Sequence, residues 1–143
     1  MRTVLFLCTG NYYRSRFSEY LFNHWAEKRS SDWRADSRGL AVRPDSNNVG
    51  PISKYARARL LKYGISLPTD LRYPQSVNEA DFVAAQKVIA IDASEHRPLM
   101  QQQFPAWETS IEYWMIHDID RVVPDAALDQ LEQHLQKLLT QLV

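Results

Sequence analysis

Apolar positions first concentrate in RTVLFLC, residues 2–8, an unbroken run that ends at Thr9, Gly10 and Asn11. A run of this kind suits a strand buried on both faces, as inside a parallel sheet. The spacing then changes: Phe17, Tyr20, Leu21, His24 and Trp25 recur at helical intervals and define one face. WRADS predicts a short second strand closed by Gly39, and Pro44, Asn47, Asn48 and Gly50 mark an exposed loop. PISKYARARLLKYG predicts a helix beginning at Pro51, with Ile52, Ala56, Leu60 and Tyr63 on one side and Gly64 as its stop. NEADFVAAQ reads as a short helix feeding the strand KVIAID. Ser94 reads as the N-cap of EHRPLMQQQ, with Pro98 in the first turn, where no intrahelical N–H is lost. IEYWMI predicts a last strand, HDIDRVVPD a loop, and Leu128, Leu131, Leu135, Leu138 and Leu142 the stripe of a final helix.

Strands alternating with helices predict an α/β fold of three layers, a four-stranded, mostly parallel sheet with helices on both faces. Ligands of such sheets bind beyond the carboxyl ends of the strands, at the topological switch point. Cys8 stands at such an end.

The length of 143 residues predicts one domain, spanning 1–143. Seventeen basic and seventeen acidic residues cancel, so no global field favours nucleic acid or a membrane surface. One cysteine cannot form an internal disulfide, and lone thiols persist best in reducing compartments. The apolar run TVLFL has no cleavage-like small residues behind it, and nothing reaches membrane-spanning length, so a cytoplasmic protein is expected.

A lone cysteine is commonly just a small apolar side chain. Here it is followed, six and seven residues on, by Arg14 and Ser15, with a strand before and a helix after. A strand-to-helix turn exposes successive backbone N–H groups that can converge on one anion. Gly10 gives that turn freedom to adopt positive φ, and Asn11 is the residue that next best tolerates it. Arg14 offers a planar fork for two phosphate oxygens. Amide dipoles and a guanidinium together favour the thiolate, and Ser15 can donate a further hydrogen bond to it. The loop from Thr9 through Gly10, Asn11, Tyr12, Tyr13, Arg14 and Ser15 is therefore the expected phosphate-binding segment, with Cys8 as nucleophile through a cysteinyl-phosphate. No residues have metal-ligand spacing, and no cofactor is expected.

VLFLCTGNYYRSRFSEYLF resembles the opening of the low-molecular-weight protein tyrosine phosphatases, whose signature is Cys, five residues, Arg, Ser. CTGN is also close to the loop of the related thioredoxin-coupled arsenate reductases. ADSRGL resembles the segment that carries a loop-bracing serine, here Ser37; KYGISLPTDLR resembles a glycine-led stretch ending in a basic residue, here Arg72; VIAIDASEHRPL resembles the third strand and next helix, with Asp92 in the usual place. The resemblance implies a flavodoxin-like fold, catalytic roles for Cys8, Arg14 and an aspartate, and phosphotyrosine in proteins as substrate.

Cleaving an ester P–O bond needs a proton for the leaving oxygen and later a base for water. The resemblance puts that aspartate at Asp118, with Asp120 as the alternative two residues on. The proline and paired tyrosines common after the acid are replaced by Ile119, Asp120 and Arg121, so one aromatic wall is missing and Tyr12 is the candidate replacement. The loop lacks the second cysteine of many relatives, which removes a local protective disulfide. Arsenate reduction would require an external thiol, because no cysteine falls near IAIDAS, and a phosphate-binding module without turnover is the third reading. Phosphorylated substrate or an inorganic oxyanion is the expected partner. His24, His96 and His134 read as surface or hydrogen-bonded residues, while His117 adjoins the candidate acid; Trp25, Trp33 and Trp114 read as core.

Overall fold

The structure, a computed structural model, describes residues 1–142. The run at residues 2–8 forms β1 (Arg2–Cys8), the second strand is β2 (Trp33–Gly39), and β3 (Lys87–Ala90) and β4 (Glu112–Tyr113) complete one sheet in the order β2-β1-β3-β4. All three pairings are parallel. Between and after the strands lie α1 (Arg14–Lys28), α2 (Lys54–Lys62), α3 (Glu79–Ala84), α4 (Ala93–Gln103) and α5 (Pro124–Leu142).

Alternation along β1 explains why helices cover both faces. Val4, Phe6 and Cys8 point into a core with Phe17 and Leu21 of α1 and Leu131 and Leu135 of α5. Leu5 and Leu7 point the other way, against Phe82 of α3 and Met100 of α4. The expected layers are thus observed, and the α5 stripe of Leu128, Leu131, Leu135 and Leu138 is buried as its spacing predicts. Among the described residues no helix is long and apolar enough to cross a membrane.

Four local expectations are corrected. The helix after residue 51 starts at Lys54, with Ser53 as the N-cap accepting from the Tyr55 N–H at 3.2 Å, so Pro51 lies outside it. The cap of α4 is Asp92, whose carboxylate accepts from the Ser94 N–H at 3.0 Å; Ser94 is already helical. Pro98 consequently lies inside α4, beyond its first turn. The last strand is only Glu112–Tyr113, because the Trp114 carbonyl turns to accept from the Ala93 N–H at 2.8 Å and Met115 forms an antiparallel bridge with Asp92. That departure carries the chain from the sheet edge across the end of β1.

Candidate active site

The order β2-β1-β3-β4 reverses direction between β1 and β3, and Cys8 lies at that carboxyl end. Between Cys8 and α1 the carbonyls of Cys8, Thr9 and Tyr12 accept from the N–H groups of Leu40, Ala41 and Ser53 at 2.9, 2.8 and 2.9 Å. With its carbonyls turned outward, the loop presents its amides inward. Among the described residues no acceptor takes the N–H groups of Gly10 to Tyr13. Tyr13 caps α1 without a side-chain hydrogen bond, and no acid occupies the first turn, so the positive helix end also faces the loop.

The left-handed position is Asn11, with φ 50°, and not Gly10. Side-chain bonds account for this. The Asn11 Nδ2 donates to Ser15 Oγ and to Ser37 Oγ, each at 2.9 Å, while its Oδ1 accepts from Arg72 at 3.0 Å and from the Gln75 N–H at 3.1 Å. Four bonds fix a conformation that asparagine tolerates. Gly10 instead borders the cavity over Cys8, where a side chain would meet only the Tyr12 Cβ, at 4.0 Å. Ser15 Oγ lies 2.9 Å from Cys8 Sγ. Because Ser15 accepts the Asn11 amide hydrogen, its own hydrogen is free to point at sulfur.

Arg14 is buried, and its NH1 donates to the Ile116 carbonyl at 3.0 Å. Its NH2 donates to Glu95 Oε2 at 2.6 Å and stands 3.5 Å from Asp118 Oδ2. Among the described residues its Nε has no partner. Burial opposes the guanidinium charge, but Cys8, Asp118 and Glu95 outweigh it and raise the Arg14 pKa above its ordinary value. An unpartnered Nε beside NH2 is one side of the planar fork that grips two oxygens of an oxyanion.

Asp118 borders the same cavity as Cys8 and Arg14, and its Oδ1 accepts from the Ile119 N–H at 2.8 Å. Asp120 is exposed and does not border it. His117 donates from Nδ1 to Asp92 at 2.7 Å. Burial disfavours the Asp92 carboxylate, but hydrogen bonds from Ser94 and His117 hold its pKa below the usual carboxylate range.

The two loop tyrosines diverge. Tyr13 is buried, donates to the Pro124 carbonyl at 3.2 Å, and is pushed up to about 12 by burial and the Asp118 charge. Tyr12 is half-buried, donates to the Val49 carbonyl at 2.7 Å and walls the cavity. The Thr9 hydroxyl donates to Glu95, the carboxylate that also accepts from Arg14.

Ser37 joins Asn11 as described and donates to Glu19 at 2.6 Å; Arg72 donates to the Ser37 carbonyl at 2.8 Å. Sequence reading missed Glu95, while His96, read as a surface or hydrogen-bonded residue, is the hydrogen-bonded kind. His96 is fully buried: Nδ1 accepts from the Asp92 N–H at 3.0 Å, which leaves Nε2 to donate to Glu95 at 2.8 Å. Burial opposes the Glu95 charge, yet His96, Thr9 and Arg14 hold its pKa far below the ordinary range. No local pattern marked Glu95, because its partners Thr9 and Arg14 lie 86 and 81 residues away.

Comparison with known proteins adds three findings. Residues 3–143 match the family described as low molecular weight phosphotyrosine protein phosphatase. The low molecular weight protein tyrosine phosphatase from T. tengcongensis is 26% identical, with TM-score 0.82 over 99% of this chain and 100% of that one. That from Streptococcus pyogenes is 19% identical, with TM-score 0.80 over 100% and 94%, and the YwlE arginine phosphatase from Geobacillus stearothermophilus is 21% identical, with TM-score 0.77 over 99% and 93%. The search of curated proteins returned no match.

Proposed function

The chain belongs to the low molecular weight phosphotyrosine protein phosphatase family, and from that premise we propose that it hydrolyses phosphotyrosine in cytoplasmic proteins. Cys8 is the nucleophile, Arg14 and the loop amides hold the phosphoryl oxygens, and Asp118 is the acid. The observation that carries this reading is the set of donors without protein acceptors around one sulfur: the amides of Gly10 to Tyr13 and the Arg14 Nε. The Arg14 Nε is buried, and buried donors are rarely left unpaired; an oxyanion would satisfy it together with the loop amides.

In the first step the Cys8 thiolate forms an S–P bond as the P–O bond to the leaving group breaks, and Asp118 gives its proton to the departing oxygen. In the second, water attacks phosphorus and loses its proton to Asp118. The S–P bond breaks, releasing phosphate and restoring the thiolate. Ser15 stabilises that thiolate, while Asn11, Ser37 and Arg72 hold the loop. Tyr12 and Ile52, which border the cavity, supply apolar surface for an aromatic ring. Cys8 is the single cysteine, so no internal thiol could relay electrons to arsenate, and hydrolysis is the reading carried forward.

Rapid mixing with an aryl phosphate followed by acid quench tests it. The expected result is phosphate covalently attached at Cys8 by mass spectrometry, and no turnover in Cys8→Ser. Turnover surviving that substitution would overturn the assignment.

A further inference from the structure

The cavity over Cys8 measures about 890 Å³, near the upper end of the range that accommodates a drug-sized ligand and more than one phosphorylated side chain fills. Its floor is Cys8 and Arg14, and its far end is built by the segment before α2 and the first turns of that helix. Nine large apolar side chains are exposed among the described residues. Four of them, Val49, Tyr55, Leu61 and Ile119, border this one cavity, at 84%, 38%, 64% and 45% exposure. Exposed apolar side chains scattered singly need no explanation, but a cluster around a cleft marks a surface that another molecule covers.

Charge narrows the choice of that molecule. Residues three and seven apart share a helix face, so Lys54, Arg57 and Leu61 of α2 look into the cavity together. Among the described residues that border the cavity, the one carboxylate is Asp118. Among the described residues neither Lys54 nor Arg57 has a carboxylate within ion-pair distance. Arg59 on the same helix, turned toward α5, is paired with Asp125, Asp129 and Glu132 at 3.1, 2.8 and 2.7 Å. The helix thus neutralises the cation it buries and leaves uncompensated the two that it presents to the cleft.

We propose that this groove docks the polypeptide flanking the phosphorylated residue, and that it selects a segment combining an acidic side chain with an apolar one. Lys54 and Arg57 take the acid, while Val49, Tyr55, Leu61 and Ile119 cover the apolar side chain. The inference rests on the phosphatase reading above and specifies its substrate class. Rim charges of this kind act on specificity and encounter rate more than on chemistry, so the selection weakens as salt rises.

The experiment compares kcat/KM for two phosphotyrosine peptides of equal length, one with glutamate and leucine beside the phosphotyrosine, the other with lysine and serine, alongside a free aryl phosphate. The acidic-apolar peptide is expected to be preferred about tenfold, the order reached when two exposed charge pairs and one apolar contact combine. Arg57→Glu should invert the ratio between the peptides, Leu61→Ser should reduce it several-fold, and raising salt should compress it. Equal values for both peptides, with the aryl phosphate still turned over, would overturn the docking inference and leave the phosphatase reading standing. Failure of the aryl phosphate to react would overturn both. A concentration-dependent dimer that Leu61→Ser abolishes would assign the groove to a second copy of this chain and overturn the inference as well.

Discussion

Gly39, the last residue of β2, lies outside the phosphate loop yet limits where that loop can sit. A Cβ placed there would stand 2.5 Å from Val42 Cγ2, 2.8 Å from the Thr9 carbonyl oxygen and 3.1 Å from Asn11 Cβ. Comfortable heavy-atom contacts lie at about 3.5–4.0 Å, so the shortfall is at least about 1 Å at Val42 and about 0.7 Å at Thr9. The valine can rotate away. The Thr9 oxygen cannot, since it accepts from the Ala41 N–H at 2.8 Å, and Gly39 itself is fixed by its N–H to the Gln75 carbonyl at 2.8 Å and its carbonyl from the Val77 N–H at 2.9 Å. Gly39→Ala must therefore push Thr9 and Asn11, displacing the loop amides relative to Cys8. Overpacking of this kind costs about 1–3 kcal/mol, which lowers Tm by about 3–10 °C in a domain of this size. A misplacement near 1 Å can cost a hundredfold in rate, so kcat/KM for an aryl phosphate should fall between about tenfold and a hundredfold. Adding Val42→Ala removes the softer clash only, and most of the loss should persist. Wild-type kcat/KM and Tm in Gly39→Ala, or full rescue by the second substitution, would refute the claim that the Thr9 backbone is held against this glycine.

Asp118→Asn should lower kcat/KM about a hundredfold for phenyl phosphate and much less for a nitrophenyl ester, whose leaving group needs no proton, while Asp120→Asn should stay within about twofold; the reverse order in a leaving-group series would move the acid. Glu95→Gln keeps an acceptor for Arg14 but removes a negative charge beside the bound dianion. Interactions of this kind are worth about 1 kcal/mol per charge pair at 4 Å in water, so the inhibition constant for inorganic phosphate should fall about tenfold, and weaker binding would show instead that Glu95 chiefly holds Arg14 in position. Burial holds the His96 pKa below its ordinary 6.5, against the pull of Glu95. The unfolded chain therefore takes up this proton at higher pH than the folded one, so the His96 contribution to stability is complete above 6.5 and is lost as pH falls toward the folded value. Urea melts should show His96→Gln flattening that part of the stability curve, while the further loss below 4.5, where the Glu95 carboxylate protonates in the unfolded chain, remains.

What the sequence determined by itself is whatever neighbouring residues enforce on one another. The run at residues 2–8 sets a strand covered on both faces from Val4 onward, the leucine period sets the covered face of α5, and Cys8 and the Arg14–Ser15 pair flank one strand-to-helix loop. The same locality explains the errors. A glycine signals conformational freedom, so Gly10 reads as the first choice for the positive-φ position and Asn11 only as the next. It is Asn11 that occupies it, because Ser37, Arg72 and Gln75, 26 to 64 residues away, bind its side chain. Ser94 reads as a cap, but Asp92 caps: its carboxylate accepts from the Ser94 N–H, and the helix begins at Ala93.

Only the tertiary structure decided which distant side chains complete the site: Glu95 and His96 behind Arg14 and Thr9, Asp118 rather than Asp120 on the cavity, Gly39 against the loop, and, among the described residues, Lys54 and Arg57 at its edge without a carboxylate partner. Burial and charge pairing are properties of groups brought together by the fold. Their energies depend on distances that no spacing along a chain encodes, so they become legible only once the sheet has set the end of β1 beside α4 and the loop before α5.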